Sequence, residues 1–228
     1  MTIAERLDII KDEIAMSLKT AGRSAGEVML LPVTKMKTVE EIMPALEYGI
    51  RAIGENYVQE LVAKYDVLSP YVDEFHMIGH LQSNKVKYLI DKVSLIHSVD
   101  SASVLTEIQK QAQKIGKIQD ILFEVNLTKE DSKFGVYKEN LEELYQKAKE
   151  CPNISVRGLM TMPPLHYQED ELRRVFSELR QIFEDFKSFD SAFDILSMGM
   201  SNDYQIAIEE GATLVRIGSK IFGPRNYL

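Results

Sequence analysis

The stretch Met29-Leu30-Leu31-Pro32-Val33-Thr34-Lys35 has the composition of a buried β-strand that ends on a lysine. It is followed by Thr38-Val39-Glu40-Glu41, a capping box with Thr38 as N-cap and Glu41 as the third helical residue. Lysine is rarely placed at the edge of an apolar core. There its pKa falls easily, and its amine becomes available for Schiff-base chemistry with a carbonyl group. Lys35 is therefore a candidate anchor for a carbonyl cofactor, although a strand-end lysine that reaches back to water has the same local sequence.

Strands and helices alternate along the whole chain. Apolar runs predict eight strands, at 28–34, 50–53, 75–79, 93–97, 120–126, 154–160, 193–197 and 213–217. Periodic or capped stretches predict helices at 2–21, 39–48, 56–66, 84–91, 101–115, 138–150, 168–187 and 203–210. Eight such units in 228 residues are typical of a (β/α)₈ TIM barrel, which is an α/β fold.

The barrel prediction has one alternative, an open doubly wound sheet, which also alternates strands and helices. The strand count of eight favours the barrel, as does the lack of a G-x-G-x-x-G motif after the first strand. No linker rich in Pro, Gly or Ser divides the chain, so residues 1–228 are predicted to form a single domain. Because little chain follows the last strand, we expect the N-terminal helix to complete the outer ring of helices.

The composition restricts the classes of function. The net charge of −8 argues against a nucleic-acid partner, which usually requires a basic face. No apolar run approaches the roughly 20 residues that a membrane span needs, and the charged N-terminus is unlike a signal peptide. The single cysteine, Cys151, fits a reducing compartment. These features predict a soluble, cytoplasmic protein.

In a barrel of this kind the active site lies at the C-terminal ends of the strands. Leu31, Val33 and Lys35 share one face of the first strand, because side chains alternate with a period of two. Lys37 has the same parity but follows the predicted strand end, so Lys35 is the better candidate for pointing into the barrel mouth. Lys133 lies in a loop and is more typical of a solvated side chain. His80 and His97 have no metal-ligand spacing, so no metal site is predicted.

The last two strand ends have the pattern of a phosphate site. TIM barrels often bind phosphate through the loops after strands seven and eight, which here read Ser197-Met198-Gly199-Met200-Ser201-Asn202 and Ile217-Gly218-Ser219. Glycines let the backbone approach a phosphate, and serines add hydroxyl donors. Arg216 ends the last strand and could face the pyridine nitrogen of pyridoxal phosphate. An ordinary turn, with Ser201 as an N-cap, and a structural ion pair of Arg216 with Glu124 or Glu55 are the open alternatives.

Taken together, several motifs resemble the pyridoxal phosphate homeostasis proteins, which are similar in fold to the N-terminal barrel of alanine racemase. The matching segments keep their order along the chain. They are Val33-Thr34-Lys35 with Lys37, 54–60, 76–85, 132–135, 157–160, 197–201, 215–218 and 221–223. Pro32, Met36 and Thr38 depart from the pattern expected around the lysine, which bears on the shape of that loop.

This resemblance implies a set of residue roles. Lys35 would be the Schiff-base lysine, and Arg216 would face the pyridine nitrogen. Ser201, Gly218 and Ser219 would cradle the phosphate, while Gly199 belongs to the same predicted phosphate loop. Asn56, His80 and Met198 would line the pocket.

The resemblance also implies a carrier or regulator of pyridoxal 5′-phosphate in vitamin B6 and amino-acid homeostasis, with no catalytic residue. Racemases of this fold have a second, β-rich domain with a catalytic tyrosine, whereas this chain stops at Leu228, directly after the last strand. We therefore expect a monomer whose possible partners are apoenzymes that accept the cofactor. The alternatives are a single-domain racemase or related enzyme, and a phosphate-binding barrel with unrelated chemistry.

Overall fold

The computed structural model describes residues 1–128, 134–164 and 166–224. The strands are β1 Met29–Pro32, β2 Ala52–Glu55, β3 Glu74–Met77, β4 Leu95–Val99, β5 Gln119–Asn126, β6 Val136–Tyr137, β7 Ile154–Met160, β8 Ile195–Met200 and β9 Leu214–Ile217. The helices are α1 Ile3–Thr20, α2 Val39–Glu47, α3 Val58–Leu68, α4 Ala102–Lys114, α5 Lys138–Lys149, α6 Glu169–Lys187, α7 Tyr204–Glu209 and α8 Ser219–Phe222, with a 3-10 helix at Ser83–Tyr88.

Eight parallel strands form the barrel, as the alternation along the sequence predicts. Their order is β1-β9-β8-β7-β5-β4-β3-β2, and the two-residue strand β6 pairs with β5 outside this path. A parallel bridge between Val33 and Gly54 connects the two ends of the sheet, where the N–H of Thr34 donates to the carbonyl of Gly54 at 3.0 Å. The fold class predicted from the sequence is confirmed, and the open-sheet alternative is wrong.

The hydrophobic side chains separate into an outer layer and a smaller interior. The outer layer lies between the strands and the helices and includes Ile53, Phe123 and Val215. Alternate strand residues form two small interior clusters, one containing Leu31 and Val33 and another containing Leu122 and Met160. The period of two along each strand therefore sends every second side chain into the barrel, where the polar residues of the site also lie.

The N-terminal helix α1 occupies the expected place in the outer ring. It begins with a capping box formed by Thr2 and Glu5 and packs against α2, α7 and α8. Arg6 on α1 donates to the carbonyl of Ile221 at 2.9 Å, which attaches the helix to the end of α8. Since α8 has four residues, α1 covers the part of the barrel beside β9 that a full-length eighth helix would cover.

Three elements differ from the sequence prediction. The α-helix expected at 84–91 is a 3-10 helix at Ser83–Tyr88, a type that is usually short because its hydrogen bonds have poorer geometry. The short elements β6 and α8 were not predicted, since two to four residues carry no periodic signal. The capping box at Thr38 is present as predicted. None of the helices in the described ranges has the length and apolar character that a bilayer crossing requires.

Gly158 offers a test of the strand packing. Its φ is +148°, and an added Cβ would lie 1.9 Å from the carbonyl oxygen of Ile195 on the neighbouring strand β8. We expect Gly158→Ala to lower the free energy of unfolding by about 3 kcal/mol or more, because the strands would have to separate. Urea unfolding measures this change. Gly116→Ala is the control, because Gly116 also has a positive φ but no atom lies within 4 Å of its added Cβ. Equal losses in both variants would contradict this account of the barrel.

Candidate cofactor site at the barrel mouth

A cavity of about 460 Å³ lies at the C-terminal ends of the strands. Its polar lining consists of Lys35, Lys37, Asn56, Ser201, Asn202, Asp203, Arg216, Gly218 and Ser219, and its apolar lining includes Val33, Ile78, Met162, Met200 and Phe222. A larger depression, of about 590 Å³, lies at the opposite end of the barrel. In that depression Arg157 is already paired with Asp120 and Asp194. The mouth of the barrel therefore combines space with a convergent set of amine, guanidinium and hydroxyl groups.

Both lysines of the first loop reach this cavity. Lys35 lines the cavity together with Val33, which shares an interior cluster with Leu31. Lys37 also lines the cavity, and its amine makes an ion pair with Glu41 at 2.9 Å. The loop between them turns at Met36, whose φ of 58° is in the left-handed region. Parity along the strand therefore does not separate the two lysines once the chain has left the strand.

Arg216 is the central buried charge of the site. Its side chain is 3% exposed, and its guanidinium donates to the carbonyl and the hydroxyl of Ser197 at 2.9 and 2.6 Å and to the carbonyl of Thr161 at 2.9 Å. None of the ion pairs among the described residues includes Arg216, so the alternative of a pair with Glu124 or Glu55 is wrong. Burial lowers the pKa of Arg216 to about 10, against the opposing charges of Asp203 and Glu124. The guanidinium is therefore still protonated at neutral pH.

A buried chain of hydrogen bonds extends from Arg216 through the interior of the barrel. Ser197 Oγ lies 3.0 Å from His97 Nδ1, and His97 Nε2 lies 3.0 Å from His76 Nδ1. His76 Nε2 in turn lies 3.0 Å from the carboxylate of Glu74. We call Arg216, Ser197, His97, His76 and Glu74 the hydrogen-bond chain. It connects the site to Glu74, which is exposed at the other end of the barrel.

The donor chemistry fixes the two ends of this hydrogen-bond chain. A guanidinium only donates, so Ser197 Oγ accepts from Arg216, and a carboxylate only accepts, so His76 donates from Nε2 to Glu74. Between these ends the roles of the ring nitrogens follow the histidine tautomers, since the hydroxyl of Ser197 can either donate to His97 Nδ1 or accept from it. Burial lowers the pKa of His97 well below its usual value, which favours the neutral imidazole there. The bond from His76 lowers the pKa of Glu74, as an accepting carboxylate requires.

The predicted phosphate residues meet on the other side of the cavity. Ser201 Oγ accepts a hydrogen bond from the N–H of Gly218 at 3.3 Å, so the loops after β8 and β9 are in contact. A Cβ at Gly218 would lie 3.3 Å from the carbonyl oxygen of Val33, and glycine is what allows this close approach. Ser219 is exposed at the rim. The two loops thus bring small side chains to the same cavity as Lys35.

Three of the predicted site residues do not line this cavity. Met198 is fully buried in the outer hydrophobic layer, because Ser197 points into the barrel and the next residue along a strand points outward. Gly199 has a φ of 91° at a register irregularity of β8, and its added Cβ would face Ala207 and Tyr204 of α7. For these two residues, a position in a strand-end loop did not determine the side-chain direction.

His80 is the third of these residues. It is exposed, its ring stacks on Phe134 with centroids 3.7 Å apart, and its Nδ1 lies 3.4 Å from Asp100. The ring therefore lies at the surface of the barrel mouth, outside the cavity lining. Lys133, the alternative loop lysine, falls outside the described residues.

Asn56 places an unsatisfied polar atom at the cavity. Its Oδ1 is buried and has no hydrogen-bond partner among the residues that the structure describes. Buried polar atoms are nearly always hydrogen-bonded, so such an atom requires an explanation. A polar ligand in the cavity supplies one. Asp203, whose pKa burial raises, also lines the cavity, and its carboxylate accepts the N–H of Met200.

The sequence did not predict that His76, His97 and Asp203 belong to the site. His76 and His97 each interrupt an otherwise apolar strand, and that interruption was the available signal. Nothing local shows that the side chains of β3, β4 and β8 meet in the barrel interior. Asp203 follows the predicted phosphate loop, where it looks like an ordinary helix-cap residue.

The fold and the site define a class of barrel. Known proteins similar to this chain belong to the same class. Residues 9–226 match the family described as alanine racemase, N-terminal domain. The pyridoxal phosphate homeostasis protein of Aquifex aeolicus is 44% identical over 228 residues, covering 100% of both chains. The protein of the same name from Escherichia coli K12 is 36% identical, covering 99% of this chain and 97% of that one. The solved structure of PipY from Synechococcus elongatus with pyridoxal phosphate bound has a TM-score of 0.84 at 30% identity, covering 97% and 100%. The chain belongs to the pyridoxal phosphate homeostasis protein family.

Glu124 gives the site a testable pH dependence. It is 3% exposed on β5, its Oε2 has no partner, and burial together with Asp100 raises its pKa to about 7 from an ordinary 4.5. Between pH 4.5 and about pH 7 the folded chain binds more protons than the unfolded chain. The free energy of unfolding therefore falls as the pH rises through this range. A glutamine in its place is neutral at every pH and does not titrate. We expect the stability of Glu124→Gln, relative to wild type, to rise by up to about 3 kcal/mol between pH 4.5 and 8.

Urea unfolding of both proteins at pH 5 and pH 8 checks this expectation. Glu143→Gln is the matched control, because Glu143 is exposed and its amine partner Lys147 lowers its pKa. That variant should show no gain in relative stability as the pH rises. A stability difference between Glu124→Gln and wild type that is the same at both pH values would contradict the raised pKa of Glu124.

Proposed function

We propose that this chain binds pyridoxal 5′-phosphate in the cavity at the barrel mouth, as a Schiff base on Lys35, and acts as a carrier or regulator of the cofactor in vitamin B6 and amino-acid homeostasis. The observation that carries the proposal is the convergence of Lys35, Arg216 and the loops of Ser201 and Gly218 on one cavity. The names of the curated relatives and the bound cofactor of PipY support it.

The residues present fit this cofactor. Pyridoxal phosphate supplies an aldehyde that condenses with an amine, a pyridine ring and a phosphate. The amine is that of Lys35, and the small residues Ser201, Gly218 and Ser219 cradle the phosphate. Asn56 Oδ1, which has no partner among the described residues, would accept a hydrogen bond from the ligand. The cavity volume of about 460 Å³ lies within the range of roughly 300–1,000 Å³ typical of small-molecule sites.

Arg216 is the residue that would tune the pyridine ring of the cofactor. Because its guanidinium stays protonated at neutral pH, it would donate to the pyridine nitrogen of a bound cofactor and favour the form of that nitrogen without a proton. The hydrogen-bond chain and the carbonyl of Thr161 keep the guanidinium in place. A neutral pyridine nitrogen weakens the ring as an electron sink. A site of this kind would stabilise a carbanion on the cofactor less than a site with a protonated pyridine nitrogen.

The proposal therefore describes a protein that is not an enzyme. A racemase needs two acid–base groups on opposite faces of the substrate carbon, and Lys35 serves one face. We further propose that the protein acts as a monomer in the cytoplasm and that apoenzymes dependent on pyridoxal phosphate accept its cofactor.

The covalent link predicts a specific loss in one variant. Wild-type protein with added pyridoxal phosphate is expected to show an imine absorbance band, and borohydride reduction should leave the adduct on Lys35 in a peptide map. Lys35→Ala is expected to lose both signals. Lys37→Ala is the matched control, because this second lysine of the cavity is paired with Glu41, and it should keep the adduct on Lys35. An adduct on Lys37 in the wild type would overturn the site, and no adduct at all would overturn the function.

The carrier role predicts transfer without turnover. Wild-type protein loaded with the cofactor and freed of excess ligand is expected to restore activity to an apo-aminotransferase. Lys35→Ala treated in the same way should restore none, since it retains no covalently held cofactor. The loaded wild type should convert none of a panel of L-amino acids to D-amino acids or other products, measured by chiral chromatography. Turnover of an amino acid would favour the racemase or a related enzyme over a carrier.

A further inference from the structure

The amine of Lys64, on α3, is fully coordinated close to Lys35. It donates to the carbonyl oxygen of Thr34 at 3.0 Å, to Glu55 Oε1 at 2.8 Å and to Glu60 Oε2 at 2.8 Å. An ammonium has three hydrogens to donate, so all three are used. The Lys64 side chain is 12% exposed. This is a built arrangement inside the protein, unlike the exposed lysine–glutamate pairs on the helix surfaces.

The hydrogen bonds around Lys64 reach both of the peptide groups that flank Lys35. The carbonyl of Thr34 belongs to the peptide bond before Lys35. Glu60 Oε2, which binds Lys64, also accepts the N–H of Met36 at 2.7 Å, and that N–H belongs to the peptide bond after Lys35. Peptide groups are planar, so holding one on each side of a residue fixes the backbone dihedral angles between them. The direction in which the Lys35 side chain leaves the backbone is then determined.

Glu55 anchors this cluster in the barrel. It ends β2, is 1% exposed, and accepts a hydrogen bond from the hydroxyl of Thr34 at 2.7 Å as well as the bond from Lys64. A buried carboxylate is stable only when it is paired and hydrogen-bonded. Lys64 therefore joins a rigid strand end to the loop that carries Lys35.

The loop needs such support because the strand no longer holds it. Strand β1 ends at Pro32, and beyond it the chain is paired through the N–H of Val33 to Ile217, the Val33–Gly54 bridge and the N–H of Thr34. Met36 has a φ of 58°, a conformation that costs about 1–3 kcal/mol for residues other than glycine. Its side chain is 44% exposed, so packing provides little of the support. The N–H of Lys37 donates to the carbonyl of Thr34 at 3.2 Å across the turn, and the hydrogen bonds of Glu60 and Lys64 attach the turn to α3.

We infer that Lys64, together with Glu60 and Glu55, positions Lys35 for reaction with the cofactor by fixing the two peptide groups on either side of it. Lys64 acts through the backbone and need not touch the ligand. This inference rests on the proposed function, because it assigns Lys35 as the reacting amine. It adds three residues to the site that the family resemblance and the comparisons do not assign.

The test separates the reactivity of Lys35 from the binding of the ligand. Imine formation by pyridoxal phosphate is followed as growth of the absorbance band and as borohydride-trapped Lys35. Binding without a covalent step is measured by calorimetry with pyridoxine 5′-phosphate, which has an alcohol in place of the aldehyde. In Lys64→Ala we expect imine formation to slow by about tenfold or more, as misplacement of a reacting group does. The affinity for pyridoxine phosphate should change less than twofold.

Three further variants make the result decisive. Glu60→Ala removes the acceptor for the N–H of Met36 but leaves the Lys64–Glu55 pair, so it tests the same idea if Lys64→Ala does not fold. This variant should also form the imine more slowly than wild type, while its affinity for pyridoxine phosphate stays unchanged. Lys64→Arg keeps the charge but not the three-way geometry of an ammonium, and its rate should lie between Lys64→Ala and wild type. Lys147→Ala removes an exposed lysine–glutamate pair on α5 and should match wild type in both measurements.

Each outcome bears on the inference in a defined way. A wild-type rate of imine formation in a folded Lys64→Ala or Glu60→Ala variant would overturn the positioning role and leave the proposed function intact. Equal losses of imine formation and of pyridoxine phosphate affinity would also overturn it, since they indicate a general structural role. Failure of the wild type to form an adduct on Lys35 would instead overturn the proposed function.

Discussion

The site depends on the closure of the barrel around its first strand. On one side β1 pairs with β9 in a register that places Leu31 beside Arg216 and Pro32 beside Ile217. On the other side the Val33–Gly54 bridge joins β1 to β2. Lys35 follows directly after these contacts, so closure brings it to the same cavity as Arg216 at the end of β9 and Asn56 at the end of β2. In an open sheet with its ends apart, Lys35 and Asn56 would not share one cavity.

Burial of an arginine inside a barrel requires a polar interior to receive it. A buried charge without partners is strongly unfavourable, and here two carbonyls and the hydroxyl of Ser197 accept from Arg216. The hydrogen-bond chain extends this arrangement to Glu74, which is in contact with water. Because the guanidinium can only donate and the carboxylate can only accept, the direction of the bond at each end of the chain is fixed. The site therefore includes residues on β3, β4 and β8 that support Arg216 without lining the cavity.

Much of the fold and part of the site could be predicted from the sequence. The apolar runs and capping signals are local properties, and they locate the eight barrel strands and most of the helices within a few residues. The lysine shortly after β1 and the Gly/Ser loops after β8 and β9 are equally local, and they suggest an amine and a phosphate site before any contact is known. The ordered motifs suggest the family, which the relatives confirm. Met198, Gly199 and His80 show where this reasoning fails, since their side-chain directions depend on strand parity, a register irregularity and surface stacking.

The sequence by itself determined the alternation of strands and helices, the position of Lys35 at a strand end and the small residues of the phosphate loops, because each is encoded within a few neighbouring residues. The tertiary structure alone decided that Lys37 reaches the same cavity, that Arg216 is held by Ser197 and Thr161 instead of a carboxylate, and that Lys64 and Glu60 hold the peptide groups around Lys35. These contacts join residues that are distant in the chain. Their geometry follows from strand register and barrel closure, which no local stretch of sequence specifies.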